Sequence, residues 1–134
     1  MPRGSTRSLV LWSWIVLALL AAHDVTHVLD DGLETPLGQF PFVAVPQWIA
    51  LGIVMAVVLR GDRSQSRIAA LLLGISVIVG VAVVHLLPIT SASFWDVQPS
   101  VVSWVLVLAS VAAGVLLVVL AWPQQRAAHE AQAG

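Results

Sequence analysis

The sequence has no cysteine and few charged residues. Without cysteine, disulfide bonds, thiolate metal ligands and thiol redox chemistry are excluded. Methionine occurs only as Met1 and Met55, so a thioether site for Cu⁺ is not expected. Charged residues make up 10% of the 134 residues and the net charge is −1, which does not favour nucleic-acid binding.

The sequence also lacks the motifs of common enzyme classes. It has no nucleophile elbow, no glycine-rich phosphate loop and no His-Glu-x-x-His helix. A non-enzymatic role is therefore favoured. The enzymatic alternative is metal-assisted hydrolysis of a lipid at the membrane surface, which would use histidine and aspartate side chains.

Long apolar segments make up most of the sequence. Hydrophobic residues make up 59% of the chain, and its mean hydropathy is +0.96. Crossing a bilayer as a helix takes about 20 apolar residues. The sequence predicts an all-α, integral membrane four-helix bundle, because lipid leaves no partner for an open backbone. The predicted segments are an N-terminal arm at 1–8, spans at 9–29, 46–59, 68–87 and 101–122, and a tail at 123–134.

The second predicted span is too short for an ordinary bilayer. From Pro46 to Leu59 a helix covers only about 21 Å, so either the bilayer is thinned or Phe40–Val45 extends the apolar path. We expect Phe40–Val45 to lie in the outer interface in a non-helical form. Pro46 then falls in the first helical turn, where its missing N–H is tolerated.

The arginines predict the orientation of the spans. Positive residues in short flanks are retained in the cytoplasm, and all six basic residues fall on one predicted side: Arg3, Arg7, Arg60, Arg63, Arg67 and Arg126. Both termini are therefore predicted to be cytoplasmic, in a multi-pass plasma-membrane protein. In the alternative reading, the first span is a secretory signal cleaved after Ala22, although it lacks a clean small-x-small cleavage site.

Acidic residues and histidines gather on the opposite, extracytoplasmic side. His23 and His27 are four residues apart at the end of the first span, so they project from one helix face, with Asp30 or Asp31 one turn further on. The third span runs in the same direction and carries His85 two residues before its end. We expect His85 to lie at the depth of His27, with His23 one turn deeper. Such nitrogen and oxygen ligands suit Zn²⁺ or Cu²⁺.

Two other interpretations of these histidines remain open. A b-type haem could be held by His85 and either His27 or His23, with small residues of spans three and four admitting the macrocycle. Those residues are Gly74, Ser76, Gly80, Ser110, Ala113 and Gly114, and close helix packing explains them equally well. Alternatively, the histidines and aspartates only cap a helix, pair with one another or face lipid headgroups. The protein would then bind no cofactor and act as an accessory or assembly subunit, with a membrane-protein partner or as a homo-oligomer.

Other polar and aromatic residues have simpler interpretations. Asp24 points about 100° away from His23 around the helix, so it should pair with Thr26, with a neighbouring span or with another subunit. Asp30 to Glu34 reads as an acidic turn, because it lacks the ligand spacing of a calcium loop. Tryptophans are expected to anchor the spans at the two interfaces, with Trp48, Trp95 and Trp104 outside and Trp12, Trp14 and Trp122 inside.

Overall fold

The computed structural model describes residues 4–31, 40–87 and 100–122, and at residues 4, 5, 30, 31 and 40–44 it describes the backbone only. The described residues form helices and no strands. The helices are α1 (Gly4–Asp31), α2 (Phe40–Arg60), α3 (Arg63–Val81), which continues as a π-helical turn (Ala82–Leu86), and α4 (Val101–Ala121). The all-helical prediction is confirmed for this part of the chain.

Three helical segments are long and apolar enough to cross a membrane. They are Thr6–Leu29, Arg63–Leu86 and Val101–Ala121, and a shorter apolar stretch runs from Val45 to Arg60. α1 covers all of the predicted range 9–29, and α4 covers the predicted range 101–122 except its last residue. The third helix begins five residues before the predicted Ile68, because Asp62 caps it inside the polar connection.

The expected non-helical path at Phe40–Val45 is wrong, because α2 begins at Phe40 and contains Pro46 in its interior. Pro46 cannot donate a hydrogen bond to the Phe42 carbonyl, and its ring crowds that carbonyl. Continuing the helix still satisfies more backbone groups than an extended segment would, and apolar helices in membranes tolerate proline. At 21 residues, α2 is about 31 Å long.

Side-chain contacts between helices define an up-down-up-down arrangement. His23 near the end of α1 meets His85 after α3, while Thr26 of α1 meets Ser103 in the first turn of α4. Trp48 in the first half of α2 also contacts α1, at Asp24. The last parts of α1 and α3 therefore share one end of the bundle, the histidine end, with the first parts of α2 and α4.

The opposite end, called the arginine end, is closed by a tight connection between α2 and α3. Asp62 accepts hydrogen bonds from the Ser64 and Gln65 backbone N–H groups at 2.8 and 2.9 Å. The Gln65 side chain accepts from the Asp62 N–H at 3.0 Å, which completes a capping box. Every arginine with a described side chain lies towards this end: Arg7, Arg60, Arg63 and Arg67. The charge separation seen in the sequence is thus a separation between the two ends of the bundle.

The bundle is apolar outside and carries its polar groups inside. Many large apolar side chains on its surface are more than half exposed, among them Ile53, Val79, Leu108 and Val119. Among the residues whose burial the structure describes, the buried polar side chains are Ser13, His23, Ser66, His85, Ser103 and Ser110. Continuous exposed apolar surface of this kind suits contact with lipid rather than water.

α3 and α4 cross in close contact at two glycines. A Cβ atom on Gly74 would lie 2.8 Å from the Gly114 carbonyl oxygen, and one on Gly114 would lie 3.1 Å from that of Gly74. These residues and Ala113 are buried at the crossing, as the close-packing alternative predicts. Ser76 and Gly80 lie on the exposed face of α3 instead, and a Cβ on Gly80 would have no neighbour within 4 Å.

Candidate metal centre

Three histidines from two helices converge at the histidine end. His23 Nε2 lies 3.0 Å from His85 Nε2 and 3.2 Å from His27 Nε2. One ligand nitrogen from each residue lies within 4.8 Å of the other two. Among the described side chains, this is the only cluster of three or more potential ligands from histidine, aspartate or glutamate. The sequence predicted that these residues would meet, and the structure brings them together.

The helical repeat places the two histidines of α1. α1 remains helical to Asp31, so His23 and His27 lie on successive turns of one face. Their rings meet edge to face, with centroids 4.6 Å apart. The sequence predicted this part of the cluster from spacing alone.

The position of His85 depends on the π-helical turn that ends the third helix. The Leu87 N–H donates to the Ala82 carbonyl oxygen at 3.1 Å, a bond five residues back instead of four. This wider turn rotates the residues within it relative to a regular helix. The His85 ring lies closer to His23 (centroids 4.7 Å apart) than to His27 (5.4 Å). The His85 ring is therefore closest to the His23 ring. The sequence predicts equal depth for His85 and His27, which would favour contact between those two residues.

The three histidines are not equally buried. His23 and His85 are 4% and 6% exposed, whereas His27, one turn nearer the end of α1, is half-buried. His27 is therefore the most accessible member of the cluster.

Hydrogen bonding does not satisfy His23. Its Nε2 has a single in-plane position, which holds either a proton or a lone pair, yet two histidine nitrogens approach it. Its Nδ1 is also buried and has no hydrogen-bond partner. Buried polar atoms are nearly always paired, and among the described atoms His23 Nδ1 shares the lack of a partner with Ser13 Oγ and Ser110 Oγ. The Nε2 atoms of His27 and His85 both approach His23 Nε2, and His23 Nδ1 has no partner. Direct hydrogen bonds between the histidines therefore do not fully explain the cluster.

Two hydroxyl groups link α1 to α4 beside the cluster. Thr26 Oγ1 donates to the His23 carbonyl oxygen at 2.7 Å and lies 3.3 Å from Ser103 Oγ. Ser103 is buried, and its backbone N–H donates to Ser100 Oγ at 3.2 Å. Sequence reasoning missed Ser103, and its only signal was a serine in the first turn of an otherwise apolar helix.

Asp24 and Trp48 form a second polar link, between α1 and α2. Trp48 Nε1 donates to Asp24 Oδ2 at 2.7 Å. Asp24 thus contacts a neighbouring span, one of the three alternatives drawn from the sequence. The sequence predicts only an interfacial anchor at Trp48. Its N–H also fixes the carboxylate next to His23 in the chain.

The aspartates predicted as oxygen ligands lie outside the described side chains. The backbones of Asp30 and Asp31 belong to the last turn of α1, and their predicted role stays a prediction. No known protein family, curated protein or solved structure matches this chain at a significant level.

Proposed function

We propose that this protein is a small multi-pass membrane protein that binds one divalent transition-metal ion through His23, His27 and His85. The supporting observation is the convergence of two histidine nitrogens on His23 Nε2, at 3.0 and 3.2 Å. Tetrahedral zinc with Zn–N bonds of 2.0–2.1 Å holds its nitrogens about 3.3 Å apart. Two of the three nitrogen–nitrogen distances are close to this spacing, and the ligand nitrogens of all three histidines lie within 4.8 Å of one another.

A metal ion also resolves the hydrogen-bonding conflict at His23. Each neutral imidazole can direct a lone pair at a shared cation, so no nitrogen has to serve two partners. With Nε2 of His23 bound to the metal, the single N–H of its neutral ring is at Nδ1. The Nε2 atoms of the three histidines then no longer compete for hydrogen bonds with one another. A histidine ligand normally donates this N–H to a hydrogen-bond acceptor, whereas His23 Nδ1 has no such partner in this structure.

The ligand chemistry favours Zn²⁺ or Cu²⁺. Imidazole nitrogens suit zinc, copper, iron and nickel, and copper(II) binds nitrogen sites most tightly among the common divalent ions. The sequence offers no thiolate and only two thioethers, which argues against Cu⁺. Zinc and copper(II) are therefore the ions to test first.

The same geometry disfavours a haem. Two axial histidines must stand on opposite faces of a porphyrin. Here His23 Nε2 lies within 3.2 Å of both other Nε2 atoms, so it takes the space that a macrocycle would need beside them. The glycines that could have admitted a macrocycle lower in the bundle, Gly74 and Gly114, are in direct contact.

Elemental analysis of the purified protein tests metal binding. We expect about one zinc or copper ion per chain after exposure to the metal and dialysis, and none in the His27→Ala, His85→Ala double variant. Ser13→Ala is the matched control, because Ser13 is also buried and polar but lies about 15 Å along α1 from His23. An absorption spectrum recorded after addition of haemin tests the haem alternative. Equal metal content in the wild type and the double variant would contradict the proposal.

The arginine end is proposed to face the cytoplasm, with the histidine end outside. The described arginines lie at one end of the bundle, and Arg3 and Arg126 flank the spans on the same predicted side. With α2 counted as a span, four crossings return the chain to the side where it began. The metal centre would then open to the extracytoplasmic side of the plasma membrane.

Single-cysteine labelling tests this orientation without background, because the natural chain has no cysteine. Ser64→Cys lies exposed at the arginine end, and Val101→Cys, where valine is 79% exposed, lies at the histidine end. In spheroplasts, a membrane-impermeant maleimide should label Val101→Cys at once and Ser64→Cys only after lysis. The reverse pattern would invert the orientation, and external labelling of both would rule out the proposed topology.

An accessory role is the second candidate, and the exposed small residues favour it. Gly52 and Gly80 would both accept a Cβ with no neighbour within 4 Å, and Ser76 is exposed one turn before Gly80. Small residues four apart let another helix approach closely in a membrane. A protein that binds no metal but co-purifies with a partner lost on Gly80→Leu would support this role instead.

A further inference from the structure

We propose that the metal held by the histidine cluster takes a small anion from the outside water as its fourth ligand. This inference rests on the metal binding proposed above and specifies the ligand class of the same site. The ligand would be a monovalent donor such as a carboxylate, a halide or azide. The inference follows from ligand number, charge and access at the cluster.

The ligand number is one short for zinc. Structural zinc sites are closed by four protein ligands, and sites with three protein ligands keep one position for a solvent molecule or a substrate. Three nitrogens come from His23, His27 and His85. No carboxylate with a described side chain lies within ligand distance of them. Asp24 is the acidic neighbour of His23 in the chain, and its Oδ2 is held by Trp48 Nε1 at 2.7 Å.

The charge of the site calls for an anion. Three neutral imidazoles leave the +2 charge of the ion uncompensated in a buried, largely apolar bundle, where isolated charge is costly. A monovalent anion in the fourth position lowers this uncompensated charge.

Access to the fourth position comes from the histidine end. His23 and His85 are almost fully buried. His27 is only half-buried, and it lies one turn nearer the end of α1 than His23. A solute that reaches the metal therefore passes His27, and a small hydrophilic anion fits this path better than a lipid chain does.

Cobalt substitution measures the fourth ligand directly. Co²⁺ accepts the same nitrogen ligands as zinc, and its visible absorption bands respond to a change in ligand. The cobalt-loaded full-length protein is titrated with sodium azide in chloride-free detergent buffer. We expect the bands to change and saturate in the wild type and in the Ser13→Ala control, and an Asp30→Asn, Asp31→Asn variant is titrated beside them.

Asp62→Asn, at the arginine end, is the control for substitution of an acidic residue. It should leave azide binding unchanged, because Asp62 lies at the opposite end of the bundle from the cluster and asparagine also caps helices well.

The outcomes separate this inference from the metal proposal. If cobalt binds but azide changes nothing in the wild type, the exogenous anion is overturned. If azide then acts only in the Asp30→Asn, Asp31→Asn variant, the fourth ligand is a carboxylate of the chain. If cobalt does not bind the wild type, the metal proposal itself fails, and this inference fails with it.

Discussion

Replacing His23 with alanine is expected to abolish tight metal binding, more completely than any other single substitution. Both short nitrogen contacts of the cluster involve His23 Nε2. Without it, His27 and His85 remain as two ligands on separate helices. Loss of a partner that only orients a ligand costs roughly 10–100-fold in metal affinity, so we expect loss of this direct ligand to weaken binding more than about 100-fold.

Thermal unfolding with and without zinc, together with direct titration, measures this effect. A ligand at 100 times its Kd stabilises the folded state by about 2.7 kcal/mol, so zinc should raise the Tm of the wild type and of Ser13→Ala. Zinc should leave the Tm of His23→Ala unchanged. The metal-free Tm of His23→Ala should fall, because alanine leaves a cavity and removes the contact with buried His85, so the effect of zinc is read from each variant's own metal-free Tm. Undiminished zinc affinity in His23→Ala would place the metal elsewhere.

Replacing Gly74 with alanine is expected to destabilise the bundle by about 1–3 kcal/mol, the usual cost of overpacking. The new Cβ would lie 2.8 Å from the Gly114 carbonyl oxygen and 2.8 Å from Val118 Cγ2. The carbonyl belongs to the α4 backbone and cannot rotate away, so the two helices must separate. Leucine at this position should cost more. Because α3 carries His85, we also expect weaker zinc binding.

Gly80→Ala is the matched control for the glycine crossing. It lies on the same helix, but a Cβ there meets nothing within 4 Å. Alanine is the better helix former by up to about 1 kcal/mol in soluble helices, so the control should unfold at the same or a higher temperature. Thermal unfolding in detergent, followed by tryptophan fluorescence, compares the two variants. Equal Tm values for Gly74→Ala and Gly80→Ala would contradict the tight crossing of α3 and α4.

The start of α2 shows where local sequence signals mislead. Proline and a short apolar run suggested a helix that begins at Pro46, yet α2 begins at Phe40. A proline inside a helix loses one backbone hydrogen bond, whereas an extended segment in an apolar environment loses several. The number of backbone hydrogen bonds over the whole segment therefore decides whether it is helical. The preference of proline alone does not predict this.

The sequence by itself determined the helical class, the approximate helices and the separation of arginines from histidines. These properties depend on composition and on the spacing of residues along one chain. It also determined that His23 and His27 share a face, because a helix repeats every 3.6 residues. The sequence also predicted that His85 lies at the same end of the bundle as His27, because each histidine is two residues before the end of its predicted span.

Only the tertiary structure decided which atoms meet. The π-helical turn brings His85 to His23, and the pairs Thr26–Ser103 and Asp24–Trp48 join helices that are distant in sequence. The crossing of Gly74 and Gly114 sets how closely α3 and α4 approach. Each of these depends on the rotation and axial shift of one helix against another. Packing between helices fixes those quantities, and the periodicity of a single helix does not contain them.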